Sequence, residues 1–208
     1  MSMANYVITI GRQCGSGGHT IGKLVAQRLE LAFYDKEIVE LAAAKTKLAP
    51  EFIHSHGEYF NGGALGHIIG YGTRFDSSAK TGSSLTDQLH TVQSEIILEE
   101  AAKGPCVIVG RCADYVLAGK FPTLNIFIHS DMPYKVERSV AEHGLDRDKA
   151  AAILTRRDKA RAHHYRFYTD KKWGDARNYD LCLDSGKLGV ETCVSIIADA
   201  YRLLQHKA

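Results

Sequence analysis

The chain has 208 residues, 45% of them apolar and 24% charged, with a formal net charge of +2 at pH 7. This is the usage of one folded domain with chain enough to bury a core, and it excludes disordered, fibrous and membrane-spanning classes. So small a net charge argues for no nucleic-acid partner, and no apolar run approaches the ~18–20 residues that cross a bilayer, so no membrane partner is expected either.

Taken in chain order, the elements alternate. Tyr6–Ile10 is a short continuous apolar run, of the kind buried in the middle of a parallel sheet. It empties into Gly-Arg-Gln-Cys-Gly-Ser-Gly-Gly-His-Thr (11–20), after which Ile21, Leu24, Val25 and Leu29 set a helical stripe. Phe33-Tyr34 reads as a second strand and Lys36–Lys45 as a second helix, and Pro50 sits near the first turn of another helix bearing Phe52, Ile53 and Phe60. Residues 61–84 are rich in glycine and serine and show no period, which predicts a mobile substrate-side segment rather than a linker. Helical spacing returns over Leu85–Lys103, Gly104-Pro105 ends it, and Cys106–Val109 is a third strand. A short helix then ends near Ala118, Leu124–Ile128 is the fourth strand, and Pro133 opens a helix to about His143. Asp146 caps a longer helix to about Thr169, Tyr179–Asp184 is the last strand, and Gly189–His206 is a closing helix. Strands alternating with helices predict an α/β fold, a parallel sheet covered on both faces.

Five cysteines (Cys14, Cys106, Cys112, Cys182 and Cys193) form no C-x-x-C pair. They read as free thiols in a reducing compartment, with Cys14 a small filler of the glycine loop. No basic stretch followed by an apolar one precedes the first strand, so a cytoplasmic location is expected.

Four pieces carry chemistry. The glycine loop follows a strand and opens a helix, the setting in which backbone N–H groups and a helix N-terminus cradle phosphate. Compared with the Walker pattern G-x-x-x-x-G-K-[ST], Arg12 falls at the first glycine, Gly18 at the lysine and His19 at the hydroxyl position, with Thr20 the next hydroxyl along. The amide nest survives and its lysine does not; Arg12, folded over the phosphates, is the expected substitute. Gly110-Arg111-Cys112-Ala113-Asp114 lies at the carboxyl end of the third strand, where ligands of α/β sheets collect. Arg111 there can fork onto a phosphate and Asp114 can orient it or accept a base amine, unless the two merely pair along a helix. In Arg156-Arg157-Asp158-Lys159-Ala160-Arg161, Arg157 and Arg161 share one helix face and can converge on phosphoryl charge; the plainer alternative is a solvated face with Asp158 as local counter-ion. Asp180 and Asp184 bracket the last strand, Asp180 placed to bond a sugar or base and Asp184 to cap the turn before Gly186. The adjacent His163 and His164 point to different helix faces, so no shared metal is expected, and the aromatic residues around them read as packing.

These pieces, in this order, resemble the P-loop nucleoside-monophosphate kinases, most closely the cytidylate kinase-like family. The likeness is strongest at Ile8–Ala26, Cys106–Val116 and Asp158–Leu183. It implies a P-loop NTPase-type three-layer α/β/α domain with a five-stranded parallel core, an acceptor-side insertion at about 48–100 and an arginine-bearing lid at about 146–175. By the same resemblance Gly15, Ser16, Gly17, Gly18, His19 and Thr20 surround the phosphates of ATP, with Thr20 on Mg²⁺. Arg111, Asp114, Asp180 and Asp35 would face the acceptor nucleotide, and Arg157 and Arg161 would be lid arginines acting with Arg12. True cytidylate kinases keep the Walker lysine and the serine after it, where this chain has Gly18 and His19. Two functions follow: transfer of the ATP γ-phosphoryl group to a small acceptor, a pyrimidine nucleoside monophosphate; or a nucleotide-binding protein that keeps the cradle without the chemistry.

Overall fold

Apolar alternation along the strands decides the layering. In the computed structural model, which describes residues 6–46 and 85–205, five strands run parallel: β1 (Val7–Arg12), β2 (Ala32–Tyr34), β3 (Cys106–Val109), β4 (Thr123–His129) and β5 (Leu181–Asp184). Their order is β2-β3-β1-β4-β5, so β1 lies at the centre. Along β3 successive side chains point to opposite faces: Val107 and Val109 enter one core with Ile8, Ile10, Ile126 and Ile128, whereas Cys106 and Ile108 enter another with Val7. Helices α1 (Gly18–Leu29) and α8 (Val190–Gln205) close the first core with Ile21, Val25, Val194 and Ile197. Helices α2 (Lys36–Thr46), α3 (Leu85–Lys103) and the short α4 (Ala113–Val116) close the second with Ile38, Leu89, Ile96, Ala113 and Val116. The three-layer α/β/α arrangement is thus present. The helix expected at Pro50, the segment 61–84 and most of the expected acceptor-side insertion lie outside the described residues.

Two further helices follow β4. Asp131 caps α5 (Met132–His143) by accepting from Tyr134 N, and Asp146 caps α6 (Arg147–Thr169) by accepting from Asp148 N. A short helix, α7 (Ser185–Leu188), follows β5, and Asp184 caps it through Gly186 N and Lys187 N. Two strand ends differ from expectation by two residues. β1 runs past Ile10 because β4 keeps pairing with it, Gly11 against Phe127 and Arg12 against Ile128. β5 starts only at Leu181, because the chain before it makes a 3₁₀ turn (Ala176–Asn178) and Tyr179 turns to pack its ring 4.9 Å from that of Phe127.

Candidate active site

The sheet delivers β1 straight into the glycine loop, and α1 begins at Gly18 with Gly17 as its cap at φ 78°. The first helical bond runs from Ile21 N to Gly17 O at 2.9 Å, so the N–H groups of Gly18, His19 and Thr20 precede it. No side chain caps this end and no acid lies in its first turn. By contrast, α5, α6 and α7 each carry an aspartate cap. Open donors and the positive end of the helix dipole make this a seat for an anion. Behind the seat the loop is fastened: Ser16 Oγ donates to Gln13 O (2.8 Å) and Ser185 Oγ to Ser16 O (2.6 Å). The Ser16 hydroxyl therefore faces inward, away from the seat.

Asp35, directly after β2, gathers the cations on the other side. Its carboxylate is 2.6 Å from His19 Nδ1, 3.7 Å from an Arg12 guanidinium nitrogen and 4.0 Å from one of Arg111. Arg111 also donates twice to the Asp35 carbonyl, at 3.3 and 3.1 Å. The turn carrying it is strained, with Gly110, Arg111 and Cys112 all left-handed at φ 79°, 56° and 54°. For the two residues with side chains this costs about 1–2 kcal/mol each, and it aims Arg111 back toward Asp35, where its side chain is 3% exposed. Arg111 and Asp114 therefore do not simply pair along a helix. Asp114 instead accepts from Tyr165 Oη of α6 at 2.6 Å. Burial pushes the Asp114 carboxyl above the usual carboxylate range, against that hydrogen bond, and burial with the Asp114 charge pushes the Tyr165 hydroxyl up as well.

Helices α5 and α6 complete the site from the far edge of the loop. Asp158 Oδ1 accepts the Cys14 N–H at 2.6 Å, and its other oxygen lies 3.3 Å from the buried Lys135 ammonium, which also reaches Gln13 Oε1 at 3.3 Å. Asp158 is therefore a tie between the lid-side helix and the loop, beyond any local counter-ion role. Arg138 donates to Thr20 Oγ1 at 2.9 Å and pairs with Glu142 at 2.8 Å. Lys135 and Arg138 escaped the sequence reading; Gly15 and Gly17 were the available signal, since a Cβ on Gly15 would stand 2.8 Å from Lys135 O and one on Gly17 3.1 Å from Arg138 Cζ.

Two cavities open here. The larger, about 510 Å³, is walled by the loop from Arg12 to Thr20 apart from Ser16, and by Asp35, Arg111, Arg138, Arg157 and Arg161. That volume suits a nucleotide-sized ligand. The smaller, about 40 Å³, lies against Thr9, Gly11, Asp114, Tyr165, Trp173 and Tyr179 and has room for a few waters. Arg12, Arg111 and Arg161 line both. Asp180 is set apart from these residues: its carboxylate accepts the Asn125 N–H at 2.7 Å and extends the β4–β5 ladder, and it lines neither cavity. Among the described residues no cluster of three or more His, Cys, Asp or Glu could hold a metal. A divalent ion fits this site only as one carried largely by phosphate oxygens, with Thr20 and Asp35 as oxygen-bearing side chains lining the larger cavity. At the far end of α6 the aromatic residues mostly pack, His90 stacking on Tyr168 at 3.7 Å, while Phe167 stays 67% exposed.

A glycine loop between a central parallel strand and its helix, with arginines closing over it, defines a P-loop kinase type of fold. Shikimate kinase from Bacteroides thetaiotaomicron superposes with a TM-score of 0.56 at 13% identity, over 95% of this chain and 98% of that one. A structure of an uncharacterized protein from Eubacterium ventriosum superposes better, with a TM-score of 0.69 at 27% identity over 94% of this chain and 97% of that one. In sequence, the cytidylate kinase of Methanocaldococcus jannaschii is 24% identical over 196 residues, 93% of this chain and 96% of that protein. The model of the cytidylate kinase-like family matches residues 7–187, and the chain belongs to that family. Among the described residues no helix is long and apolar enough to cross a membrane.

Proposed function

We propose that the protein is an ATP-dependent phosphotransferase that passes the γ-phosphoryl group to a nucleoside monophosphate, with a pyrimidine nucleotide such as CMP as acceptor. The observation that carries this reading is the cavity of about 510 Å³ in which the open N-terminus of α1 meets Arg12, Arg111, Arg157 and Arg161. A donor and an acceptor sharing that cavity would bring their phosphates together among these guanidinium groups. The α1 N-terminus holds the donor's phosphates, Arg157 and Arg161 approach from α6 as the lid, and Arg111 with Asp114 faces the acceptor. Mg²⁺ carried on the phosphates would be held by Thr20 Oγ1 and Asp35 and would supply charge neutralisation there. An acceptor phosphate oxygen forms the new bond to the γ-phosphorus as the bond to the β,γ-bridging oxygen breaks, giving ADP and a nucleoside diphosphate. The attacking oxygen is already anionic, so no protein base or nucleophile is needed; positioning and charge stabilisation suffice. Small-molecule nucleotides are the partners this requires. Gly18 at the lysine position favours a second reading, a nucleotide-binding protein without turnover. Incubation with Mg²⁺·ATP and CMP, UMP, AMP or GMP separates the two: ADP release with a pyrimidine monophosphate is expected. ATP binding by calorimetry with no turnover on any acceptor would leave only the second, and no binding would remove both.

A further inference from the structure

The loop keeps the shape of a phosphate cradle without the cradle's lysine, and the reason lies at the end of β1. Gly15 and Gly17 have left-handed backbones that call for glycine, at φ 80° and 78°. Gly18 does not: it is the first residue of α1 and lies outside the positive-φ glycines, so its backbone admits any side chain. What excludes one is Arg12. A Cβ at residue 18 would overlap Arg12 Cβ and stand 2.9 Å from its Cγ, whereas the next neighbour, Ile128 Cβ, is a comfortable 3.6 Å away. Non-bonded carbons settle at about 3.5–4.0 Å. The Arg12 side chain thus crosses the spot from which a Walker lysine would spring. Beyond that crossing its guanidinium is steered by Asp35, 3.7 Å away, with the side chain only 10% exposed. The Arg12 carbonyl accepts from Arg161 at 3.3 Å, which ties the lid-side arginine to the same point.

We propose that Arg12 is the loop's phosphate-binding cation, delivered from the strand instead of the helix, and that Arg12 and any side chain at residue 18 exclude each other. The charge is then attached to the strand and serves the same cavity, which Arg12 lines together with the loop. The inference rests on the polyphosphate reading of the loop for its first half; the exclusion stands on geometry alone.

A cycle of variants tests both halves. Glycine is the partner substitution at residue 12, because alanine would keep the clashing Cβ. In the wild-type background Gly18→Ala lowers the melting temperature by about 5 °C, as overpacking does. In the Arg12→Gly background the same change raises it, since alanine favours helix over glycine. Equal effects in the two backgrounds overturn the exclusion. By calorimetry with Mg²⁺·ATP, Arg12→Gly binds about 10–100-fold more weakly, the loss of a charge-assisted contact. Arg12→Gly/Gly18→Lys recovers binding to within about tenfold of wild type. Unchanged affinity in Arg12→Gly, or no recovery in a folded double variant, overturns the cation role. If the wild-type protein binds no ATP, the nucleotide reading itself has failed, and the melting cycle still decides the exclusion.

Discussion

Asp158→Asn weakens the joint between α6 and the glycine loop. Asp158 holds the Cys14 N–H at 2.6 Å with one oxygen and faces the Lys135 ammonium at 3.3 Å with the other, with side chains 14% and 6% exposed. Asparagine keeps an oxygen for Cys14, so the perturbation is confined to the charge opposite Lys135. Removing one partner of a buried pair costs about 3–5 kcal/mol, because the other charge stays desolvated. An unfolding entropy of about 2.1 cal/mol/K per residue over 208 residues gives about 0.44 kcal/mol/K, hence a fall in melting temperature of about 7–11 °C. Lys135→Met alone costs less, about 1–3 kcal/mol, because the Asp158 carboxylate retains the Cys14 N–H. The double variant Lys135→Met/Asp158→Asn then costs less than the sum, with no unpaired charge left under the loop. Guanidinium denaturation of all four proteins measures that coupling, expected at about 1–3 kcal/mol. Additive effects within about 0.5 kcal/mol would refute the reasoning, since they would mean the two charges do not depend on each other.

Arg161→Ala should lower the rate of ADP release by about 10³-fold, since Arg161 lines both cavities; a loss below tenfold removes it from the transfer step. Asp114→Asn should change the pH profile of stability. The folded protein holds the Asp114 carboxyl above its usual value through burial, so this group's contribution is full below the unfolded pKa of about 3.9 and is lost as pH rises through the folded value. Melting curves between acid and neutral pH should therefore show Asp114→Asn gaining on wild type as pH rises, and parallel curves would count against a buried, raised carboxyl. Asp180→Ala removes the acceptor for Asn125 N–H and should cost about 1 kcal/mol of stability with the acceptor KM unchanged; a large rise in KM would return Asp180 to the site.

The fold was legible because each signal was local. β3 has Gly104-Pro105 before it and Gly110 after it around four buried residues, and its bounds fall where the sequence puts them. The α/β alternation and the loop's anion seat follow from similarly short patterns. The rest of the site depends on distance closed by the fold. Arg138 and Glu142 stand at i,i+4 on α5 and pair there. Only the pairing of β4 with β1 carries α5 against the loop, where Arg138 meets Thr20 and Lys135 reaches Gln13. Asp158 likewise sits between two basic neighbours in sequence, yet its partners are Cys14 and Lys135. The glycines tie the two levels together. Gly15 lies against α5 and Gly18 against Arg12 with no room for a Cβ, while Gly17, whose backbone is left-handed, lies beside the end of the Arg138 side chain. The tertiary structure adds what the sequence leaves out, that the neighbours of Gly17 and Gly18 are arginines.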